Sequence, residues 1–482
     1  MNYPVWDVPI VGSAWVIGAI ASFHVLVSHF AIGGGFYLPI AERKALREGR
    51  ADWLEVIKGH SRFFMVLTAA FGTVTGVGIW FAIGLGSSEG TSTLIHNFVF
   101  GWAIEYCFFL VEVTAAMVYY YTWGRVSDRM HLAIGWIYAG SAWMSLVVIN
   151  GILTFMLTPG AGWLGVAGTG AEASQFWHAI INPTYFPSLA LRTLICVSLA
   201  GIWAFITASR IDGASQPQLK TDVMRWTSKW LIPSFVLLPL CFAWYLYNVP
   251  AENRGLLELG IKTIGQGVFT QVTRAAVVTV MTSATICVIV YLLAWRTPLG
   301  FNFGHACALL LLAMAATAST EYAREMLRKP YVVNQHMYSN GTRKSQVDAF
   351  NREGYLTRSV WVRPEERALW QGGDSADPKV QAAHMARGEL MFRGQCMACH
   401  TVDGYRSMRT LLQTRDRLAI GNILTMLHEN KDDSPYKKFM PPLTGLPEEI
   451  TALGDYLNQL VHGAGSKETP PPPQAAPVPP SK

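Results

Sequence analysis

Eight stretches of apolar residues, each near the length that crosses a bilayer, recur along the first two thirds of the chain. A hydrocarbon core of about 30 Å takes roughly 20 residues of helix, and inside lipid every backbone polar group must find its partner within the segment. Spans are therefore expected near 12–41, 63–85, 97–122, 132–156, 188–208, 230–248, 269–294 and 301–324. Only 15% of the residues are charged, against about a quarter in a soluble domain. From about 330 onward the sequence turns polar. The fold class expected is all-α: about eight transmembrane helices followed by a small helical domain.

Charge sets the orientation. Arg43, Lys44, Arg47, Arg50, Lys58 and Arg62 lie between spans 1 and 2, and Arg125 and Arg129 between spans 3 and 4. Arg210, Lys220, Arg225 and Lys229 separate spans 5 and 6, and Arg296 separates 7 and 8. Against these 13 basic residues the opposite loops carry Arg254 and Lys262. Positive loops stay inside, so the expected location is the bacterial inner membrane, with both termini and the C-terminal domain periplasmic. The first apolar run is too long for the core of a cleaved signal and is expected to remain as a helix. The net charge of +6 is small and spread out and argues for no nucleic-acid partner; the bilayer follows from the apolar spans.

Residues 396–400 read Cys-Met-Ala-Cys-His, the spacing that attaches haem c. Two thiols reach the two vinyl groups of one porphyrin, and His400 takes one face of the iron. Met440, in Lys-Phe-Met-Pro-Pro-Leu, can supply a thioether to the other face; Met408 and Met426 are weaker rivals. Helices are expected around 379–393 and 447–461. Together these features make 379–463 similar to a small monohaem cytochrome c of class I type, with Gly388 and Phe392 matching that family's first helix. A zinc site is the competing use of such a motif. Residues 331–378 look like a periplasmic linker with some local structure, and 464–482 like a Pro-rich disordered tail. Cys107, Cys196, Cys241, Cys287 and Cys307 fall in apolar spans as packing residues.

Ionisable groups inside a bilayer are expensive, so each is a functional candidate. Span 1 carries His24 and His29 ahead of Gly33, Gly34 and Gly35. Counting at 1.5 Å per residue from Glu42 puts His24 about 27 Å up, in the outer half, and His29 near the middle. Both are candidate iron ligands, and the glycines would let a helix or a macrocycle approach. Glu105 and Glu112 share one face of span 3 and suit proton binding and relay; their alternative is to lock helices together. At the end of span 8, Glu321, Arg324, Glu325 and Arg328 form one stripe. Glu325 could ligate iron and the arginines could clamp propionates, or the stripe is a helix end laced by ion pairs. His60, His96, His131, His178 and His305 flank helix ends and read as interfacial, with His96 and His178 as spare ligand candidates.

Over residues 10–335 (domain 1–330) these features resemble subunit I of the cytochrome bd quinol oxidases. Phe23-His24 matches that family's first-helix haem ligand. Ile104-Glu105 and Phe108-Phe109-Leu110-Val111-Glu112 are similar to its proton-delivering pair, spaced seven apart rather than eight. Glu325-Met-Leu-Arg328-Lys-Pro330-Tyr331 is the nearest match to its Glu-x-Gly-Arg-Gln-Pro-Trp motif, and Arg274 resembles a further family arginine. The departures are equally specific. Arg192 stands where the family has the histidine of its low-spin haem, and Ala276 where it has the partner methionine. The quinol-binding loop shrinks to about 249–268, and a cytochrome c domain replaces the last span.

The resemblance implies haem b and/or haem d in the bundle beside the covalent haem c. It also implies a second membrane subunit or other respiratory cytochromes as partners. The expected function is a respiratory oxidoreductase moving electrons between haem c and the intramembrane haems, reducing oxygen or a related small oxidant. Near His24, Glu105, Glu112 and Glu325 would carry the chemistry. The alternatives are a quinol–cytochrome c oxidoreductase, with quinol or soluble cytochrome c as partner, and a non-catalytic electron-transfer subunit.

Overall fold

A computed structural model describes residues 4–255, 271–368, 370 and 377–463. The Pro-rich tail, Lys262 and most of the 249–268 loop lie outside the described residues. Eight of the described helices are long and apolar enough to cross a bilayer: α1 (Ser13–Glu48), α2 (Ala51–Gly86), α3 (Val99–Tyr121), α4 (Asp128–Phe155), α5 (Tyr185–Ala208), α6 (Pro217–Asn248), α7 (Gln271–Arg296) and α8 (Phe303–Arg328). The expected spans are all present, but several helices run further than their apolar cores. Only Gly49 and Arg50 part α1 from α2, so Arg43 through Arg62 sit largely on helix ends rather than in a loop. Gly49 takes the turn at φ +62°, a conformation glycine adopts without strain. Arg50 fastens it, donating to Asp52 at 2.9 Å and to Asp222 of α6 at 2.9 Å. Helix α6 starts at Pro217, ahead of the apolar run, because Leu219, Val223 and Met224 are buried there.

Packing divides the chain into two units. The first takes residues 18–81 and 91–328. Its closest approaches lie at the glycine triplet of α1. A Cβ on Gly33 would stand 1.8 Å from the Cys196 carbonyl oxygen of α5. On Gly34 it would meet the Phe64 ring at 2.6 Å, and on Gly35 the Tyr138 ring at 2.3 Å. The triplet thus admits neighbouring helices and their aromatic rings, as small residues do where lipid leaves only packing to join helices. The outward faces stay apolar: Phe100 and Leu311 are each 72% exposed.

The second unit takes 4–17, 82–90 and 329–463, so stretches read as part of the 1–330 domain join the C-terminal one. Among its helices are α9 (Pro378–Gln395), α10 (Met408–Leu412), α11 (Arg417–Glu429) and α12 (Pro447–His462), with a two-stranded ribbon of β1 (Tyr331–Val333) and β2 (Met337–Tyr338). Asp377 caps α9 by accepting from Lys379 N–H, and Asp416 caps α11 by accepting from Ala419 N–H. Helices α9 and α12 cross at Gly388, where a Cβ would lie 2.2 Å from the Ala452 carbonyl oxygen. Phe392, Leu424, Leu453 and Leu457 fill the core beneath. The stretch read as linker is more than a tether, since Phe350, Tyr355, Leu356 and Val362 are buried in that same core. Glu449 of α12, fully buried, accepts from the N–H groups of Tyr355, Leu356 and Leu446 at 2.8–2.9 Å.

Candidate functional site

The Cys-Met-Ala-Cys-His motif follows directly from the last turn of α9. His400 turns Nδ1 toward the Arg406 carbonyl at 3.0 Å. Donating there fixes the ring and leaves Nε2 for a metal, the usual support for a ligating histidine. His400 also lines a cavity of about 350 Å³, together with Phe392, Met397, Tyr456 and residues of the 6–13 segment. That segment is pinned to the motif's loop: Tyr405 N–H donates to the Ile10 carbonyl at 2.6 Å. Burial depresses the His400 pKa, which favours the neutral, coordinating ring. Burial also pushes the Cys396 thiol up to about 12, with a smaller push from Cys399. A dithiol redox centre instead needs a depressed thiolate. Donor set and ring orientation fit a covalent haem, while the cavity's lining includes His400 but not Cys396, Cys399 or Met440. Met440 is half-buried in the turn from Tyr436, whose carbonyl accepts its N–H at 2.9 Å. Met408 is packed in the core, and Met426 is 37% exposed on α11.

On α1, half-buried His24 bonds through Nδ1 to Thr75 Oγ1 of α2 at 3.0 Å. The Thr75 hydroxyl donates to the Phe71 carbonyl at 2.6 Å, so it receives the proton of His24 Nδ1. Nε2 is left to coordinate. Thr75 stands just past the π-helical turn Leu67–Gly72, a distortion often found at functional sites. This is the same arrangement as at His400, and it suits an iron ligand. His29 is placed differently. Its Nδ1 meets the Val25 carbonyl at 2.9 Å, and its Nε2 faces Arg192 Nη1 of α5 at 3.4 Å.

Arg192 belongs to a charge cluster with α8. Its Nη2 lies 3.6 Å from Glu321, whose other oxygen takes a 2.8 Å contact from Arg324. One turn further, Glu325 pairs with buried Arg328, which also approaches the Met156 sulfur at 3.1 Å. Both arginines expected to clamp propionates are thus paired along their own helix. Arg274 is exposed on α7 and outside this cluster.

The carboxylates of α3 face α4. Glu105 accepts from Ser145 Oγ at 2.8 Å. Glu112 lies 3.1 Å from the Tyr138 hydroxyl, which also reaches the Ala31 carbonyl of α1 at 2.9 Å. Further along the bundle is a group that sequence reasoning missed. His131 and His60, expected at the interface, are both buried, at 3% and 2% exposure. His60 bonds Thr207 at 2.9 Å. His131 Nδ1 meets Glu42 at 2.7 Å, its Nε2 meets the Tyr119 carbonyl at 2.8 Å, and the Tyr119 hydroxyl donates to the other Glu42 oxygen at 2.6 Å. Glu42 precedes a run of basic residues and reads as a solvated helix end. The packing of α3 and α4 against α1 covers it. His96 and His178 remain exposed.

No curated protein matches the chain. Among solved structures, a bd oxidase from Geobacillus thermodenitrificans is similar in fold, with a TM-score of 0.59 and 17% identity over 73% of this chain and 94% of that one. Residues 13–237, from α1 into α6 and including His24, Glu105, Glu112 and Arg192, match the model of the cytochrome bd terminal oxidase subunit I family.

Proposed function

We infer that the chain is a bd-oxidase-like respiratory subunit that transfers electrons between a haem c on its C-terminal unit and haem b or d in its bundle, and reduces oxygen or a related small oxidant. The carrying observation is His24, held through Nδ1 by Thr75 with Nε2 available, inside the stretch that matches the family. Bound there, haem b or d would supply one-electron chemistry and an open iron position for the oxidant, with haem c on Cys396 and Cys399 as its electron partner. The protein's own residues do the rest. Thr75 fixes the His24 ring, as the Arg406 carbonyl fixes His400. Glu105 and Glu112, held by Ser145 and Tyr138, bind and release protons. The Glu325 carboxylate, already steadied by Arg328, is the candidate ligand from α8 for the other haem of the bundle.

Arg192 supports electron supply through haem c rather than from quinol. A guanidinium cannot ligate iron as the family's histidine does, and here it is engaged with His29 and Glu321. The same contact occupies His29 Nε2, which counts against the quinol–cytochrome c reading that a second ligand at His29 would suit. The charge rule puts both termini and the haem c unit on the periplasmic side. A second membrane subunit has an apolar face available on α3, where Phe100, Ile104 and Tyr106 are exposed.

The test is spectroscopic and kinetic together. Dithionite-reduced protein should bind carbon monoxide at a b- or d-type haem and consume oxygen with reduced cytochrome c as donor. Fast turnover with quinol and none with cytochrome c would reverse the assignment of donor.

A further inference from the structure

We propose that Gln395 and Asn351 are positioning residues for the sixth ligand of haem c, gripping the arm of chain that presents the Met440 thioether. The inference rests on the haem c part of the proposed function and names what holds its methionine in place.

The arm begins with two prolines. Pro441 and Pro442 carry no N–H, so the two residues after Met440 cannot donate to a neighbouring strand. They supply stiffness instead, because each ring fixes its own φ. The place of Met440 is therefore set where the chain next finds backbone donors, from Leu443 onward. Leu443 N–H donates to the Leu427 carbonyl at 3.1 Å, and the Leu443 carbonyl accepts from His428 Nδ1 at 3.0 Å. These two contacts tie the arm to α11. The next two residues are held by side chains.

Thr444 is fully buried and is met by Gln395. Gln395 Oε1 accepts from the Thr444 N–H at 2.9 Å and from its hydroxyl at 3.2 Å, and Gln395 Nε2 donates to its carbonyl at 2.6 Å. The backbone N–H can only donate and the carbonyl only accept, which fixes the two ends of the glutamine amide. This amide thus stands in for a strand partner, matching both backbone edges of one residue. Gln395 is also the residue before Cys396. A single side chain therefore joins the cysteine motif to the arm that carries the opposite ligand.

Gly445 is gripped from the stretch that the sequence presents as a linker. Its N–H donates at 3.0 Å to Oδ1 of Asn351, on the short helix Val347–Glu353. Phe350 of that helix is buried in the core of the C-terminal unit, so Asn351 pulls from a fixed base. Gly445 itself tolerates no side chain: its φ is +140°, and a Cβ would lie 2.5 Å from Glu449 Oε2. Supporting partners of this kind orient a metal ligand without touching the metal.

The experiment uses the full haem-loaded chain. Ferric protein is scanned for the weak near-infrared absorbance that marks a methionine sulfur on haem iron, and haem c is titrated for its midpoint potential. Gln395→Ala and Asn351→Leu should each lose at least half of that absorbance, with thioether-bound haem on a denaturing gel unchanged. A thioether favours reduced iron. Ferrous haem c should therefore lose at least 10-fold in stability against ferric, a fall of about 59 mV in potential. Asn351→Asp keeps an acceptor for the Gly445 N–H and should restore both readings. The Asn351 pair serves even if Gln395→Ala fails to fold. Folded variants that keep wild-type absorbance and potential would overturn the proposal and leave both residues as struts. A wild-type chain with covalent haem but no such absorbance would overturn it together with Met440 as ligand, and leave haem c standing. A wild-type chain without covalent haem would remove both the haem c reading and the proposal.

Discussion

The two units solve the same problem, a buried carboxylate, in opposite ways. In the C-terminal unit Glu449 is met by three backbone N–H groups, from Tyr355, Leu356 and Leu446. In the bundle buried Glu42 and half-buried Glu105, Glu112 and Glu321 are met by side chains: histidine, tyrosine, serine and arginine. Backbone amides cannot change protonation or turn away, so Glu449 is a fixed strut. Hydroxyls and imidazoles can do both. The difference teaches that burial alone does not mark a proton-handling group; the chemistry of its partners does.

Several changes break or sharpen that contrast. The largest is at the haem c motif, where Cys399→Ala should abolish one thioether and leave incomplete or no covalent haem. Haem staining of a denaturing gel reads this out. Glu449→Ala leaves three buried amides without their acceptor, at about 1–3 kcal/mol each. Relaxation and water recover part of that, and a loss on the order of 3 kcal/mol is expected in the denaturant midpoint of the C-terminal unit. Glu112→Gln should do the reverse, keeping the fold while lowering oxygen consumption about 100-fold, the lower range for losing a proton-transfer group. If instead Glu112→Gln unfolds the bundle at full specific activity, the carboxylate is a strut as well. Smallest is Asp416→Ala, which removes the α11 cap and should cost about 1 kcal/mol in the same denaturant assay.

Much of this was legible in the sequence. The eight spans followed from apolar run lengths, and α9 and α12 from the patterns flanking the haem motif. The glycine triplet announced close approach but not its object, because a helix and a macrocycle ask for the same missing side chains. Helix ends were less readable. The charged extensions of α1 and α6 carry no apolar run, and it is tertiary packing that makes them helical. At the candidate site, His24, Glu105 and Glu112 stood out as costly polar groups within apolar runs. Glu42 and His131 did not, since each sits beside charged residues where solvent would be the ordinary partner. The paired state of Arg192 depends on α5 meeting α8, a contact no local pattern encodes.

The account depends on His24 holding iron inside the bundle. Its most direct test is a pyridine haemochrome analysis of the purified wild-type chain beside His24→Ala. The expected result is covalent haem c plus extractable haem b or d in the wild type, with the variant keeping haem c and losing extractable haem. A wild-type chain carrying haem c alone would contradict it.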